Sequence, residues 1–433
     1  MKKFFTKKLE AVLKKLAIFT LARYKPGVIG ITGNVGKTSA KEAVKKVFES
    51  DRRVRAPSKN FNNEIGLPLT ILGDWAETGG ASFWLKVIFS SLFRLIIKSK
   101  TYPELLILEY GVDAPNDMKK LLEIVKPNIG VMTQIGDIPV HLEFFSSRES
   151  LIREKGRLIS ALPATGFAVL NIDDKDIYEM RNNTRARVIT YGFSEAADIK
   201  ISNLNFFINN HLATTTFKLN FGGSFVPVKL EKSLGKAQVY AVSAAAATAV
   251  AFGMNIVKIA ENLSPHAPPP GRLNVLKGIK NSTIIDDTYN ASPLSMKEAL
   301  ETLKKLKSRR RIAVLGDMLE LGSKTILAHE SIGAITVNSA KILITVGKKA
   351  KIIAETALKN GLSKKNCLSF DKTNDALEFL KGFIEPDDLI LVKASQSVRL
   401  EKIVNGIMAE PAKADHLLVR QNDRWQKKPG LYD

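Results

Sequence analysis

Gly33, Asn34, Gly36, Lys37, Thr38 and Ser39 stand within Gly-Asn-Val-Gly-Lys-Thr-Ser, directly after the short apolar run Val28 to Thr32. Glycines for a tight turn, one lysine and one hydroxyl are what a site for the β and γ phosphates of a nucleotide needs, with Thr38 placed to ligate the accompanying Mg²⁺. The opening glycine of a full phosphate loop is displaced, because five positions before Gly36 stands Ile31 and Gly30 lies one further back. The loop is therefore of the shorter G-x-x-G-K-T kind. Glu109 closes a second apolar run, Leu105 to Leu108. Ligands gather at the carboxyl ends of strands in an open α/β sheet, so Glu109 could hold Mg²⁺ opposite the loop; pairing with a lysine is the structural alternative. His141, one of five histidines, lies on the loop after the run Ile129 to Gln134 and reads equally as a ligand or as a structural residue. Asn62 and Asn63, in the polar stretch Arg55 to Thr70, could face a substrate or a γ-phosphate, or belong to a plain connection.

The elements that must position these residues follow from periodicity. Val28 to Thr32 reads as a strand, and Ser39 to Phe48 repeats its apolar residues at helical spacing, giving strand, loop, helix. Leu105 to Gly111, Ile129 to Gln134 and Phe167 to Asp174 read as further strands, with a helix over Ser147 to Ala161 that carries Lys155 among Arg153, Glu154 and Arg157. Residues 187–230 alternate like antiparallel strands, and an alanine-rich helix over about 236–252 follows. Pro268-Pro-Pro-Gly271 is the clearest boundary. Beyond it strands near 282–286, 311–316, 342–346 and 388–392 alternate with helices near 293–306, 326–338, 349–360 and 398–408. The expected fold class is α/β: a central phosphate-loop ATPase domain with a parallel sheet, residues 26–267, and a Rossmann-like α/β domain, residues 268–410. No G-x-G-x-x-G follows a strand, so NAD is not expected. The tail, 411–433, is basic and polar and reads as a loose helix.

Composition bounds the alternatives. At 433 residues, 45% hydrophobic and 25% charged, the chain is an ordinary globular protein of two or three domains. Its one cysteine, Cys367, rules out a disulfide framework and suits a reducing cytoplasm. The net charge of +22 is spread through helices without an aromatic-interleaved stripe, which argues for a solvated basic surface and against nucleic acid. No run is long enough to span a bilayer, and the N-terminus lacks the small-residue cleavage site of a signal peptide. Residues 1–25 read as a basic helix with Leu9, Val12, Leu13 and Leu16 on one face and Lys7, Lys8, Lys14 and Lys15 on the other, able to lie on an anionic membrane or to pack on the next domain. Residues 83–97, within an added apolar segment 74–103, form the most apolar stretch and read as a buried or surface-lying helix that could join the first in a peripheral membrane contact.

Taken together, GITGNVGKTSAKE, NFNNEIGLPLTIL, LEYG, VHLEFFSSRESLIREK, NIDD, PPPGR, IIDDTYNASPLSM, VLGDMLELG and LVKASQSVRLEKIV resemble the Mur ligase family, in the family's order, over about residues 27–408. The resemblance implies an ATP-dependent peptide ligase of peptidoglycan precursor synthesis that works through an acyl phosphate, adding D-alanyl-D-alanine to UDP-N-acetylmuramoyl-tripeptide; separately, a monomer in the cytoplasm is expected. It also implies roles. Gly33 to Ser39 would hold ATP, with Arg272, Asp287, Tyr289 and Asn290 as further nucleotide contacts. Thr38, Glu109 and His141 would hold or neighbour Mg²⁺, and Lys155 matches a lysine that is carbamylated to hold a second Mg²⁺. Lys393, Ser395 and Arg399 would close over the substrate as the domain beyond Gly271 swings in. Four departures stand out: only about 25 residues precede the phosphate loop where the family has a UDP-binding domain, Gln134 stands for an asparagine, Gly235-Lys-Ala-Gln-Val-Tyr-Ala241 puts Ala237 and Ala241 where a histidine and an asparagine contact adenine, and Lys393-Ala-Ser395 replaces Lys-Gly-Ser. The alternatives are an amide ligase acting on another, membrane-associated acyl substrate, and a non-catalytic ATP-binding scaffold.

Overall fold

Runs such as 105–109 and 129–132 carry no polar alternation, so both faces of each strand must be covered, as in a parallel sheet flanked by helices. The computed structural model, which describes all residues except 1, 58–60 and 76 and the side chains of 2–5, contains two such sheets. Part of the polar loop 55–70 therefore lies outside the described residues. The first sheet has nine strands: β1 (Gly27–Thr32), β2 (Val54–Arg55), β3 (Leu105–Glu109), β4 (Ile129–Met132), β5 (Phe167–Asn171), β6 (Arg187–Gly192), β7 (Ile199–Asn209), β8 (Leu212–Phe221) and β9 (Ser224–Glu231). Their order is β2-β3-β1-β4-β5-β6-β7-β8-β9, parallel as far as β7 and antiparallel from β7 to β9. The alternating stretch read from sequence thus extends the same sheet, and β9 alternates between buried and exposed residues as a one-sided strand must.

Helices cover both faces of its parallel part. On one side α2 (Lys37–Phe48), α8 (Lys236–Ala251) and α9 (Ile256–Leu263) share a core with Ile29, Ile31 and Val131. The alanines of α8 are buried almost throughout, which lets it lie close to the sheet and to α2. On the other side α5 (Asp117–Leu122), α6 (Arg148–Ser160) and α7 (Lys175–Glu179) pack on Val28, Leu106 and Leu108. α6 starts at a capping box between Ser147 and Ser150, which places its first turn and hence Lys155.

The second sheet has six strands: β10 (Asn274–Lys277), β11 (Thr283–Asp286), β12 (Arg311–Gly316), β13 (Ile342–Val346), β14 (Cys367–Phe370) and β15 (Leu389–Lys393). The order is β10-β11-β15-β12-β13-β14, parallel except for β10. Helix α10 (Pro293–Lys305) opens on a Ser292–Ser295 capping box with Pro293 in its first turn. Both edge strands and the helix Thr373–Phe383 are absent from the reading of the sequence. β14 is half-buried and short, and β10 turns into β11 through positive φ at Lys280 and Asn281, so neither carries an unbroken apolar run.

Two terminal segments differ from expectation. Helix α1 (Lys2–Tyr24) packs on α3 (Gly66–Leu72) and α4 (Ala81–Ile96) through Leu13, Leu16, Ala17 and Thr20, while Val12, expected on the apolar face, points outward. The buried set 13, 16, 17, 20 keeps to the 3.6-residue period, and Val12 falls off it. The tail is not a loose helix. Its short turns dock on the second sheet's domain, where Leu418 is buried, Arg420 donates to the Thr288 and Tyr289 carbonyls, and the Tyr432 hydroxyl lies 2.6 Å from Asp317.

Candidate functional site

Strands β1, β3 and β4 end side by side. Parallel pairing sets Ile31 against Glu109, so the loop leaving β1 begins next to the carboxylate that closes β3. At Gly33, with φ 143°, a Cβ would lie 2.1 Å from the Thr133 hydroxyl, so no other residue fits there. Gly36, φ 86°, turns the chain into α2, whose first-turn N–H groups lack partners within the helix. The Asn34 and Val35 N–H groups are both taken by the Gln134 carbonyl, at 2.6 and 3.1 Å. Anion-holding N–H groups are thus confined to the helix start.

A cavity of about 290 Å³ opens in front of this loop, walled by both domains. From the first come Asn34, Gly36, Lys37, Thr38, Ser39, Asn62, Glu109, Asp113 and His141, and from the second Arg272, Asp287, Tyr289, Asn290 and Lys393. Thr38 Oγ1 donates to Glu109 Oε2 at 3.3 Å, Asn62 Nδ2 to Glu109 Oε1 at 3.4 Å, and Arg272 Nη2 reaches Thr38 Oγ1 at 3.5 Å. These long bonds gather hard oxygen donors without spending their lone pairs tightly. Lys37 folds back onto the Gly33 and Asn34 carbonyls, at 3.0 and 3.3 Å, and burial pushes its pKa down against the pull of Glu109. Both amide atoms of Asn34 are buried without a partner, as is Arg272 Nε. Polar atoms so placed on a cavity wall point to a ligand that supplies the missing bonds.

The other half is built around one ion pair. Lys393, at the end of β15, is buried with Nζ 2.7 Å from Asp287 Oδ2 and 2.8 Å from the Asn290 carbonyl. Burial lowers its pKa and Asp287 opposes that shift. Arg272 stacks over the Tyr289 ring at 4.0 Å. The two halves meet at His141, whose Nδ1 lies 2.9 Å from Glu320 Oε2 and whose Nε2 lies 3.4 Å from Asp113 Oδ1. The bond to His141 holds the Glu320 carboxyl below its usual range. Gln134 also bridges the halves, donating to Glu298 at 3.1 Å.

Several residues singled out from sequence lie elsewhere. Lys155 sits on α6 outside the cavity lining, fully buried, with the Val112 carbonyl at 3.3 Å as its one hydrogen-bond partner among the described residues. Burial first, then the Lys37 charge, brings its pKa down to about 7. Gly33 shapes the loop without lining the cavity. Asn63 is a cap, accepting from the Gly66 and Ile65 N–H groups at 2.8 and 3.2 Å. Ser395 accepts from the Leu319 N–H at 2.9 Å and so holds the loop after β12. Arg399 is buried in the tail, bonded to Glu401 and to the Trp425 and Lys428 carbonyls. Ala237 lines the cavity beside Gln238, whose amide donates to the Arg272 carbonyl, and Ala241 is buried in α8. Asp113, Gln238, Glu298 and Glu320 were not anticipated. Asp113, four residues after Glu109, carried a positional signal; the others are brought in only by tertiary contact.

Known proteins share this architecture. Residues 92–249 match the family model described as the Mur ligase middle domain, and residues 271–396 the one described as Mur ligase, glutamate ligase domain. The UDP-N-acetylmuramoyl-tripeptide--D-alanyl-D-alanine ligase of Bacillus subtilis is 31% identical over 402 residues, covering 92% of this chain and 79% of that protein. Its counterpart in Mycobacterium tuberculosis H37Rv is 30% identical over 424 residues, covering 92% and 77%. The crystal structure of the MurF ligase from Thermotoga maritima in complex with ADP superposes with a TM-score of 0.76 at 27% identity, covering 93% of this chain and 84% of that one.

Proposed function

The chain belongs to the Mur ligase family, and from that premise we propose that it is an ATP-dependent ligase joining D-alanyl-D-alanine to UDP-N-acetylmuramoyl-tripeptide. The observation that carries the reading is one cavity in which a phosphate loop and a carboxylate from the first domain face the Arg272–Tyr289 stack and the Lys393–Asp287 pair of the second.

In this reading the start of α2 and Lys37 bind the phosphates, with Lys37 leaving the Gly33 and Asn34 carbonyls for them, and Asn34 gains the partners its amide lacks. Thr38 and Glu109 are the residues suited to Mg²⁺, with His141 beside them. Among the described residues no three carboxylates, imidazoles or thiolates cluster as a metal cage. When bound, Mg²⁺ would neutralise charge on the phosphates. The fit of Lys155 to carbamylation rests on its buried, near-neutral amine: the amine attacks CO₂, loses a proton and becomes a carboxylate-like group suited to a second Mg²⁺.

The peptide carboxylate then attacks the γ-phosphorus and ADP leaves; the incoming amine attacks the acyl carbon, loses a proton, and phosphate departs. Lys37, Arg272 and Lys393 offset the charge that moves along this path, which is what phosphoryl transfer asks of a protein. Asp287, Tyr289 and Asn290 belong to the nucleotide side; Asn62 and Lys393 belong to the substrate side, with Ser395 and Arg399 acting through the loops they hold. The clasp of His141 on Glu320 and of Gln134 on Glu298 supports a closed arrangement that keeps water from the acyl phosphate, with 268–271 as the hinge. Since one chain supplies both halves, the enzyme works as a monomer in this reading, in the cytoplasm where its nucleotide substrates are.

Phosphate release from ATP and Mg²⁺ with UDP-N-acetylmuramoyl-tripeptide and D-alanyl-D-alanine tests the proposal. Release that needs both substrates supports it, and Lys37→Ala should abolish that release. Release only with a different carboxylate or amine substrate would leave the ligase and overturn the substrate; no turnover with any substrate pair would favour a scaffold.

A further inference from the structure

We propose that α1 and α4 form a shelf that docks this protein on an anionic lipid surface. Helix α4 is apolar on two opposite faces. Its inner face, Trp84, Val87, Ile88, Ser91 and Leu95, packs against α1 and α3. Its outer face carries Leu85, Phe89, Leu92, Phe93 and Ile96, 55%, 67%, 43%, 59% and 78% exposed. Their spacing of i, i+4, i+7, i+8 and i+11 makes one continuous stripe that none of the described residues covers. Ile97 extends the stripe, and α1 adds exposed Val12, Ile18 and Phe19. The shelf is braced at its end, where Arg23 donates to the Ile96 carbonyl at 3.1 Å and the Tyr24 hydroxyl donates to the Arg94 carbonyl at 2.9 Å while accepting from the Ser99 N–H.

Charge selects the occupant. Residues 1–25 hold eight lysines and arginines against Glu10 alone, and residues 81–100 hold Lys86, Arg94, Lys98 and Lys100 with no acid. Lys7, Lys8, Lys15, Lys86, Lys98 and Lys100 are exposed. A second copy seated on the stripe would bring two cationic rims together, whereas phosphate headgroups complement the rim and acyl chains complement the stripe. Among the described residues no helix is long and apolar enough to cross a membrane, so α4 lies on the surface rather than through it. The inference is independent of the reaction, because it uses none of the residues of the cavity.

Co-sedimentation of the full chain with phosphatidylcholine vesicles, with and without phosphatidylglycerol, tests it. The protein should pellet with phosphatidylglycerol vesicles, less so as salt is raised. The double variant Phe89→Asp/Phe93→Asp should lose roughly tenfold or more in vesicle binding while keeping its thermal melt and its turnover in solution. Lys86→Glu/Lys98→Glu should weaken binding only where phosphatidylglycerol is present. Wild-type protein that stays in the supernatant with anionic vesicles, or aspartate variants that pellet as well as wild type, would overturn the proposal. So would a dimer in vesicle-free sedimentation velocity that those variants convert to monomer, since the stripe would then be an interface between copies.

Discussion

Lys155 and Lys393 are buried lysines of opposite domains, and they are held in opposite ways. Lys393 has a carboxylate at 2.7 Å and a carbonyl at 2.8 Å. Lys155 has one carbonyl at 3.3 Å, and its nearest strong influences after burial are the positive charge of Lys37 and, more weakly, Asp113 and Asp117. A charge taken out of water is tolerated when an opposite charge replaces the lost solvation, and otherwise the group sheds its proton. The first arrangement keeps a cation in place; the second favours the neutral amine.

The comparison breaks most visibly at Lys393. Lys393→Met should leave Asp287 buried and uncompensated, at a cost of about 3–5 kcal/mol in urea unfolding. Lys393→Met/Asp287→Asn should recover most of that loss without recovering turnover. If Lys155→Met cost as much as Lys393→Met, the distinction between a paired and an unpaired lysine would be wrong.

Lys155 sharpens the contrast through pH. Its pKa falls from 10.5 in the unfolded chain to about 7 in the fold, so between those values the unfolded state binds the proton and the native state does not. Stability should therefore rise with pH across that window, by about 1.4 kcal/mol per pH unit for one proton. Lys155→Met should flatten this slope, because it removes both the Lys155 proton and the repulsion between Lys155 and Lys37, which titrate as a coupled pair. The measurement belongs in bicarbonate-free buffer; added bicarbonate should raise wild-type stability across the window without changing the slope, because the neutral amine and bicarbonate form a carbamate and water with no net proton exchange. In turnover, Lys155→Ala should be rescued in part by short carboxylates; absence of rescue together with no gain in stability on adding bicarbonate would remove the carbamate from the mechanism.

How much of this was readable depended on whether a residue's role is local. The phosphate loop, Glu109 at its strand end and the capping boxes of α6 and α10 follow from a few neighbouring residues, and the central strands from unbroken apolar runs. The chemical state of Lys155 is not local: amid Arg153, Glu154 and Arg157 it reads as one more surface lysine, and only the packing of α6 against the sheet buries it. The clasp of His141 between Asp113 and Glu320 joins two domains across some 180 residues, and no spacing rule anticipates it. Asn63 and Arg399 show the reverse case. Both sit in stretches that carry the family resemblance, yet one caps α3 and the other anchors the tail, because a polar residue near a site is also the nearest donor or acceptor for the backbone around it.

The smallest expected effect tests whether the Lys393 half depends on the tail. Arg420 sends Nη1 to the Tyr289 carbonyl at 3.0 Å and Nη2 to the Thr288 carbonyl at 2.6 Å and to Glu401 at 2.8 Å. It thereby grips the backbone of the loop whose side chains, Asp287, Tyr289 and Asn290, line the cavity. Arg420→Ala should cost about 1–3 kcal/mol in stability, because two carbonyls lose a charged donor while Glu401 keeps Arg399. Since Arg420 touches the loop and not the cavity, KM for ATP should rise several-fold with kcat nearly unchanged, and Arg420→Lys should restore part of the loss. A merely structural tail would lower stability and leave KM alone. That result would mean the loop is set by the Lys393–Asp287 pair itself, making the paired half of the site self-sufficient where the Lys155 half depends on the fold around it.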